Sequence, residues 1–135
     1  MKLTQFAITW NLPVKGLIKW TLFNQFCGGE TMEEAAQTAA KIGEYGVHTI
    51  LDYGVEGKES EEEFDKAVPE FIKAINFAAT QKNIPFISMK VTGFAYFSLL
   101  EKIHAGSPLT DQDKQAWNKV LDRIDRICKA AAEKK

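Results

Sequence analysis

The sequence predicts an α/β fold assembled from βα units on a parallel sheet, and three observations carry that prediction. One order of events recurs along the chain: a short β-rich run, a turn, then an amphipathic helix, at "LFNQFCGGE", "VHTILDY" and "IPFISMKVTGF". Two of the helices open on a hydroxyl residue followed three positions later by glutamate, the pairing that satisfies the first free amides of a helix. The composition, 45% hydrophobic and 26% charged over 135 residues, is that of an ordinary globular chain rather than a disordered one.

The first stretch, residues 1–23, is apolar but broken by Gln5, Asn11, Pro13, Lys15 and Lys19, which excludes a signal peptide and a spanning helix. After Pro13, the residues Val14, Leu17, Ile18 and Leu22 recur at helical spacing with Lys15 and Lys19 between them, so an amphipathic helical segment is expected. It would dock on the rest of the fold, with peripheral contact to a membrane surface as the other use of such a face.

Residues 24–135 hold the βα units. The first is a strand at "LFNQF" leading to a helix capped by Thr31 and Glu34, which carries Ala35, Ala36, Ala39 and Ile42 and stops near Gly46. The second runs from "VHTILDY" through a loop with Gly54 and Gly57 to Ser60 and Glu63. Its helix shows Phe64, Val68, Phe71, Ile75 and Ala78 at steps of three and four, with Pro69 expected to kink it or shift its start. The third is "IPFISMKVTGF" with a short helix at "AYFSLLEKI". A polar break then leads to a long helix with Trp117, Val120, Leu121, Ile124, Ile127, Cys128 and Ala131 on one face. No strand follows to receive that helix, and three units neither close an eight-unit barrel nor complete a doubly wound sheet. A piece of a larger barrel is expected, or a chain whose unpaired sheet edge joins another copy as a homo-oligomer.

A formal net charge of −1 with no basic stripe gives no electrostatic case for nucleic acid. Cys27 and Cys128 fit no metal or redox spacing and read as reduced, mostly packed thiols of a cytoplasmic protein. His48 and His104 have no ligand-spaced partners, so no metal site is expected.

The candidate chemistry lies where strands end. In a (β/α)8 barrel, side chains at the carboxyl ends of the strands line the active face. Asp52 and Lys90 close apolar strand runs, and Glu56 follows in the loop after Asp52. Strand alternation puts Phe86, Ser88 and Lys90 on one face and Ile87, Met89 and Val91 on the other. For Asp52 and Glu56 a plainer reading stays open, because carboxylates ahead of a helix also interact favourably with its dipole.

The segments "FCGGET", "TILDYGVEGKESEEEFD" and "PFISMKVTGF", in this order and spacing, resemble the flavin-dependent proline dehydrogenases, the second being the most specific. The resemblance covers most of the chain from about Leu12. It implies a partial TIM-like barrel of about three βα units after an N-terminal helix. It also implies FAD, oxidation of L-proline to Δ1-pyrroline-5-carboxylate by hydride transfer, and a quinone acceptor. By the same resemblance Lys90 matches the lysine that binds the substrate carboxylate, and Glu56 the glutamate that pairs with a substrate-binding arginine. Asp52 matches an aspartate of the site's architecture. The family's arginine pair, its fourth-strand aspartate and most flavin-binding side chains belong to segments beyond these, so the chain alone is expected to be inactive and a poor FAD binder. Two other readings are a Schiff-base lysine aldolase, since such enzymes also present a lysine at a strand end, and a non-enzymatic fragment that self-associates.

Overall fold

A computed structural model describes residues 27–52, 54 and 57–134, together with Thr21, Phe23 and Gln25. The expected N-terminal helical segment, 1–23, lies outside the described residues apart from Thr21 and Phe23. The elements run α1 (Met32–Gly43), β1 (Ile50–Asp52), α2 (Glu61–Ala78), β2 (Phe86–Ser88), a 3-10 turn (Val91–Gly93), α3 (Phe97–His104) and α4 (Asp111–Ala132). The fold is mixed α/β and mostly helical, with one two-strand sheet among the described residues. β1 and β2 pair in parallel with Ile50 opposite Phe86, Leu51 opposite Ile87 and Asp52 opposite Ser88. The intervening α2 makes this a βαβ unit.

The second and third expected units are therefore present; of the first, the helix is present, but Phe23 and Gln25 are helical where a strand was expected. Ahead of α1, the Cys27 amide donates to the Phe23 carbonyl at 2.8 Å, a helical turn where a strand was expected. The run "LFNQF" is apolar and aromatic enough for either state, and periodicity over five residues does not separate them. Cys27 and Cys128 are both exposed, which corrects the expectation of packed thiols. Cys128 sits directly after the buried Ile127 but falls outside the buried stripe of α4.

Each helix starts as its sequence dictates. Thr31 Oγ1 accepts from the Glu34 amide at 3.2 Å, and the Glu34 carboxylate accepts from the Glu30 amide. Ser60 Oγ accepts from the Glu63 amide, while the Glu63 carboxylate accepts from the Glu59 amide and the Ser60 hydroxyl. Those two donors, with Lys58 beside them, hold Glu63 below the usual carboxylate range. α4 has the full reciprocal box between Thr110 and Asp113, which the sequence reading passed over as a polar break. α2 continues through Pro69, which occupies an exposed position of the helix. Gly46, with φ of 75°, ends the α1 turn as expected of a left-handed cap.

The core lies between α2 and α4. Ala67, Val68, Phe71 and Ile75 of α2 meet Ile127 of α4 and Phe94 from the turn after β2. The rings of Phe71 and Phe94 lie 5.0 Å apart, and those of Phe64 and Tyr96 meet edge to face at 5.1 Å. A second cluster joins Ala39 of α1 with Ala78 and Ile84. Ile87 of β2 packs against both clusters, so the sheet is attached to the helices through one of its faces.

Inside this core sits a cation. Arg123 is 2% exposed, between Val120 and Ile127 on the buried stripe of α4. Its Nε donates to Asp65 at 2.8 Å, its Nη1 to the buried Phe94 carbonyl at 3.1 Å, and its Nη2 to Glu61. The guanidinium also lies over the Phe64 ring, 5.4 Å from its centroid. Burial alone lowers its pKa, but the hydrogen bonds and charges of Asp65 and Glu61 outweigh that and raise it.

Two outcomes follow from this packing. The double replacement Glu61→Gln with Asp65→Asn strands a buried cation and should cost about 3–5 kcal/mol, more than Arg123→Met, which removes the charge itself at about 2 kcal/mol. Urea unfolding ranks the two, and the reverse order would show that the guanidinium is not the group whose burial is being compensated. The second concerns Asp113, whose pKa falls from 3.8 to about 2 because Lys102 and then the Thr110 amide and hydroxyl bind its carboxylate. A depressed carboxyl contributes stability that is complete above about pH 4 and lost as pH falls toward 2. The Asp113 carboxyl carbon should titrate near that lower value by NMR, and Lys102→Met should move its midpoint up.

Candidate functional site at the carboxyl ends of the strands

β1 and β2 are short, and their two faces differ in kind. Leu51, Ile87 and Met89 turn toward the helices and pack on the core clusters. Ile50, Asp52, Phe86, Ser88 and Lys90 occupy the other face by strand alternation. There Ile50 is 60% and Phe86 67% exposed, although both are large and apolar. The alternation expected from the sequence is the one observed.

At the carboxyl ends of the strands this face becomes polar. Lys90 Nζ lies 3.5 Å from an Asp52 carboxylate oxygen, with side chains 46% and 51% exposed. Three local features set the pair. The parallel register puts Ser88 opposite Asp52, and Lys90, two residues further on, returns to the same face. The backbone after Lys90 is tied into the 3-10 turn, where the Gly93 amide donates to the Lys90 carbonyl and the Phe94 amide to the Val91 carbonyl. The Phe94 carbonyl is in turn held by Arg123. Of the three sequence-predicted site residues, the structure thus brings Asp52 and Lys90 together, and Glu56 lies outside the described residues.

Such a pair can bind an anion through the ammonium or a cation through the carboxylate without burying net charge. Among the described residues no three His, Cys, Asp or Glu side chains gather as a metal site. His48 and His104 are exposed. A groove of about 470 Å³ opens elsewhere, beside Ile75, Ala78, Ile84, Phe86, Ala131 and Lys134, and its lining includes neither Asp52 nor Lys90. The residue that sequence reasoning missed is Arg123, whose signal was its spacing: three after Val120 and four before Ile127, opposite two acids one turn apart on α2.

A βαβ unit with opposite charges at the carboxyl ends of its strands makes this a mixed α/β protein. Its relatives narrow the class. The chain is 37% identical to proline dehydrogenase 1, mitochondrial, of Dictyostelium discoideum over 68% of its length and 16% of that protein. It is 31% identical to proline dehydrogenase 1, mitochondrial, of Arabidopsis thaliana over 76% of its length and 21% of that protein. It is also 28% identical to the carbapenem antibiotics biosynthesis protein CarD of Pectobacterium carotovorum subsp. carotovorum, over 76% of its length and 27% of that protein. The chain is therefore related to the proline dehydrogenase family, a family of oxidoreductases by name. It spans between 16% and 27% of the length of these three curated relatives. No protein-family model matches the chain, and no solved structure matches it.

The two faces of the sheet should respond differently to substitution. Lys90→Met and Asp52→Asn each remove half of an exposed ion pair and should change stability by less than about 1 kcal/mol. Ile87→Ala, on the face packed against the helices, should cost about 2 kcal/mol. Denaturant unfolding of the three variants checks this, and a Lys90→Met loss as large as that of Ile87→Ala would make the pair a structural one.

Proposed function

We propose that this chain supplies the carboxylate-binding part of a proline-oxidising site, with Lys90 as the cation for the substrate carboxylate and Asp52 as its partner. The observation that supports this most directly is the 3.5 Å approach of Lys90 to Asp52 at the ends of two paired parallel strands. A free amino-acid carboxylate needs a fixed cation, and a lysine offers a compact point charge at the edge where open α/β sheets bind ligands. Glu56, in the loop after β1, completes the set on this reading by pairing with an arginine that other segments provide.

FAD belongs to this reading as the hydride acceptor, and the N-termini of α1 and α2 do not fit its phosphates. A dinucleotide pyrophosphate is held at a helix N-terminus approached by a glycine-rich turn. α1 carries Glu33 and Glu34 in its first turn and α2 carries Glu61, Glu62 and Glu63, so both ends would repel phosphate. The flavin is accordingly assigned to residues other than these. The same reading brings a quinone as electron acceptor. Among the described residues no helix is long and apolar enough to cross a membrane, so peripheral contact at its inner face, from a cytoplasmic location, is the form such contact would take. It also leaves the free edges of the two-strand sheet for pairing between copies.

Absorbance of the purified chain in the near-ultraviolet and blue, with excess FAD and then L-proline, tests this. The expected result is no retained flavin band and no proline-dependent bleaching. Bleaching by proline would mean that a complete site assembles on this chain and that the partial-site reading is wrong.

A further inference from the structure

We infer that Arg123 is a positioning residue for the ion pair of Asp52 and Lys90, tying the connection that leaves β1 to the turn that leaves β2 from inside the core. The inference rests on the carboxylate-binding reading of that pair and deepens it by naming what sets the pair's geometry.

Stability alone gives little reason for a charge at this place. A well-packed apolar side chain often stabilises a core as much as a buried ion pair does. Arg123 is nevertheless 2% exposed, on the packed stripe of α4. Its partners show what an apolar residue could not do. Glu61 is the first residue of α2, where the chain that leaves β1 at Asp52 enters the helix, and Asp65 lies one turn further on. Phe94 directly follows the 3-10 turn that begins one residue after Lys90. Arg123 donates to all three, through Nη2 to Glu61, Nε to Asp65 and Nη1 to the Phe94 carbonyl. One planar group thus holds the far ends of both connections whose near ends are Asp52 and Lys90. Because the fork is rigid, two nitrogens fixed on α2 aim the third at Phe94.

The turn needs such an anchor. Lys90 lies two residues beyond the last paired residue of β2. The turn after it is closed by the Gly93 amide on the Lys90 carbonyl and the Phe94 amide on the Val91 carbonyl, both at 3.0 Å, in a helix type whose hydrogen bonds are poorly aligned. Packing of the Phe94 ring on Phe71 fixes where that residue lies, and the charged donor on its carbonyl fixes which way its peptide faces. Replacing Arg123 leaves the acids provided for, since Lys119 also reaches Glu61 at 3.4 Å and Asp65 is 62% exposed. The group that loses its donor is the buried Phe94 carbonyl, which must turn to find another and disturbs the residues leading back to Lys90.

The test is NMR on the full chain. In Arg123→Met, hydrogen exchange of the Gly93 and Phe94 amides should accelerate at least tenfold more than that of the Phe71 amide in the core of α2. Val120→Ala removes buried volume from the same stripe of α4 but leaves the fork its donors, and it should produce no such excess. Arg123→Lys keeps the charge without the three-way fork; it should show the same excess, and it carries the test if the methionine variant does not fold. The pair itself is read from the Asp52 carboxyl carbon, whose shift should respond to Lys90→Met in the parent and less than half as much in either Arg123 variant. Equal acceleration at the turn and in the core, or an undiminished response at Asp52, would overturn the inference and leave Arg123 a purely structural residue. Failure of the underlying reading shows elsewhere: a Lys90 side chain that does not respond to L-proline in the parent chain overturns that reading, and with it any role of Arg123 in binding.

Discussion

A guanidinium buried between two helices is costly unless its nitrogens find acceptors, and all three nitrogens of Arg123 find one in the observed arrangement of the helices. Its fork reaches Glu61 and Asp65, which lie one turn apart on α2, and the Phe94 carbonyl from the turn after β2. Sliding α4 along α2 by a turn would leave the guanidinium with one carboxylate at most and the rest of its fork against an apolar layer of Phe64, Val68 and Phe71. An apolar residue at position 123 could match the stability of the observed contact, but it could not penalise the slipped alternative in the same way. The apolar stripes bring the two helices together, and Arg123 determines how they align.

That alignment reaches the site through a short path of bonded groups. Arg123 holds the Phe94 carbonyl, the Phe94 amide is bound to the Val91 carbonyl, and the Gly93 amide to the carbonyl of Lys90. The direction in which Lys90 leaves β2 is therefore set by the helix pair rather than by the sheet. A parallel pair of three-residue strands is too small to hold its own geometry. Placing the anchor in the helical layer gives the lysine backbone a fixed origin.

How much of this could be read from the sequence depended on whether the signal was periodic. The stripe of Phe64, Val68, Phe71, Ile75 and Ala78 repeats at helical spacing, and all five are buried. The alternation in "FISMK" separates Ser88 and Lys90 from Ile87 and Met89, which is enough to place Lys90 beside a carboxylate on the neighbouring strand once the pairing is parallel. Non-periodic features were not legible in this way. Arg123 occupies a core position with a charged side chain, so a hydrophobic pattern passes over it, and only the acids on a different helix explain it. On α4 the reading of one apolar face went too wide: Leu121, Cys128 and Ala131 are exposed, and the buried stripe is Val120, Arg123 and Ile127. "LFNQF" misled for another reason, since three apolar and aromatic residues around Asn24 and Gln25 suit a strand and a helical turn equally, and tertiary context decides between them.

The bare face of the sheet follows from the same division between layers. Parallel strands ordinarily have both faces covered, yet Ile50 and Phe86 face outward here while Leu51 and Ile87 are packed. Because the helices carry the core, that second face is not needed to keep the described residues folded. Asp52 and Lys90 can then stand at its edge with their charges in water, where exchanging one partner for another costs little desolvation. Burying the pair would have made it stronger and less exchangeable, since a ligand would then have to displace a partner in a low-dielectric setting. On the proposed reading, an ion pair that is half exposed and fixed at its backbone suits the uptake and release of a small charged molecule.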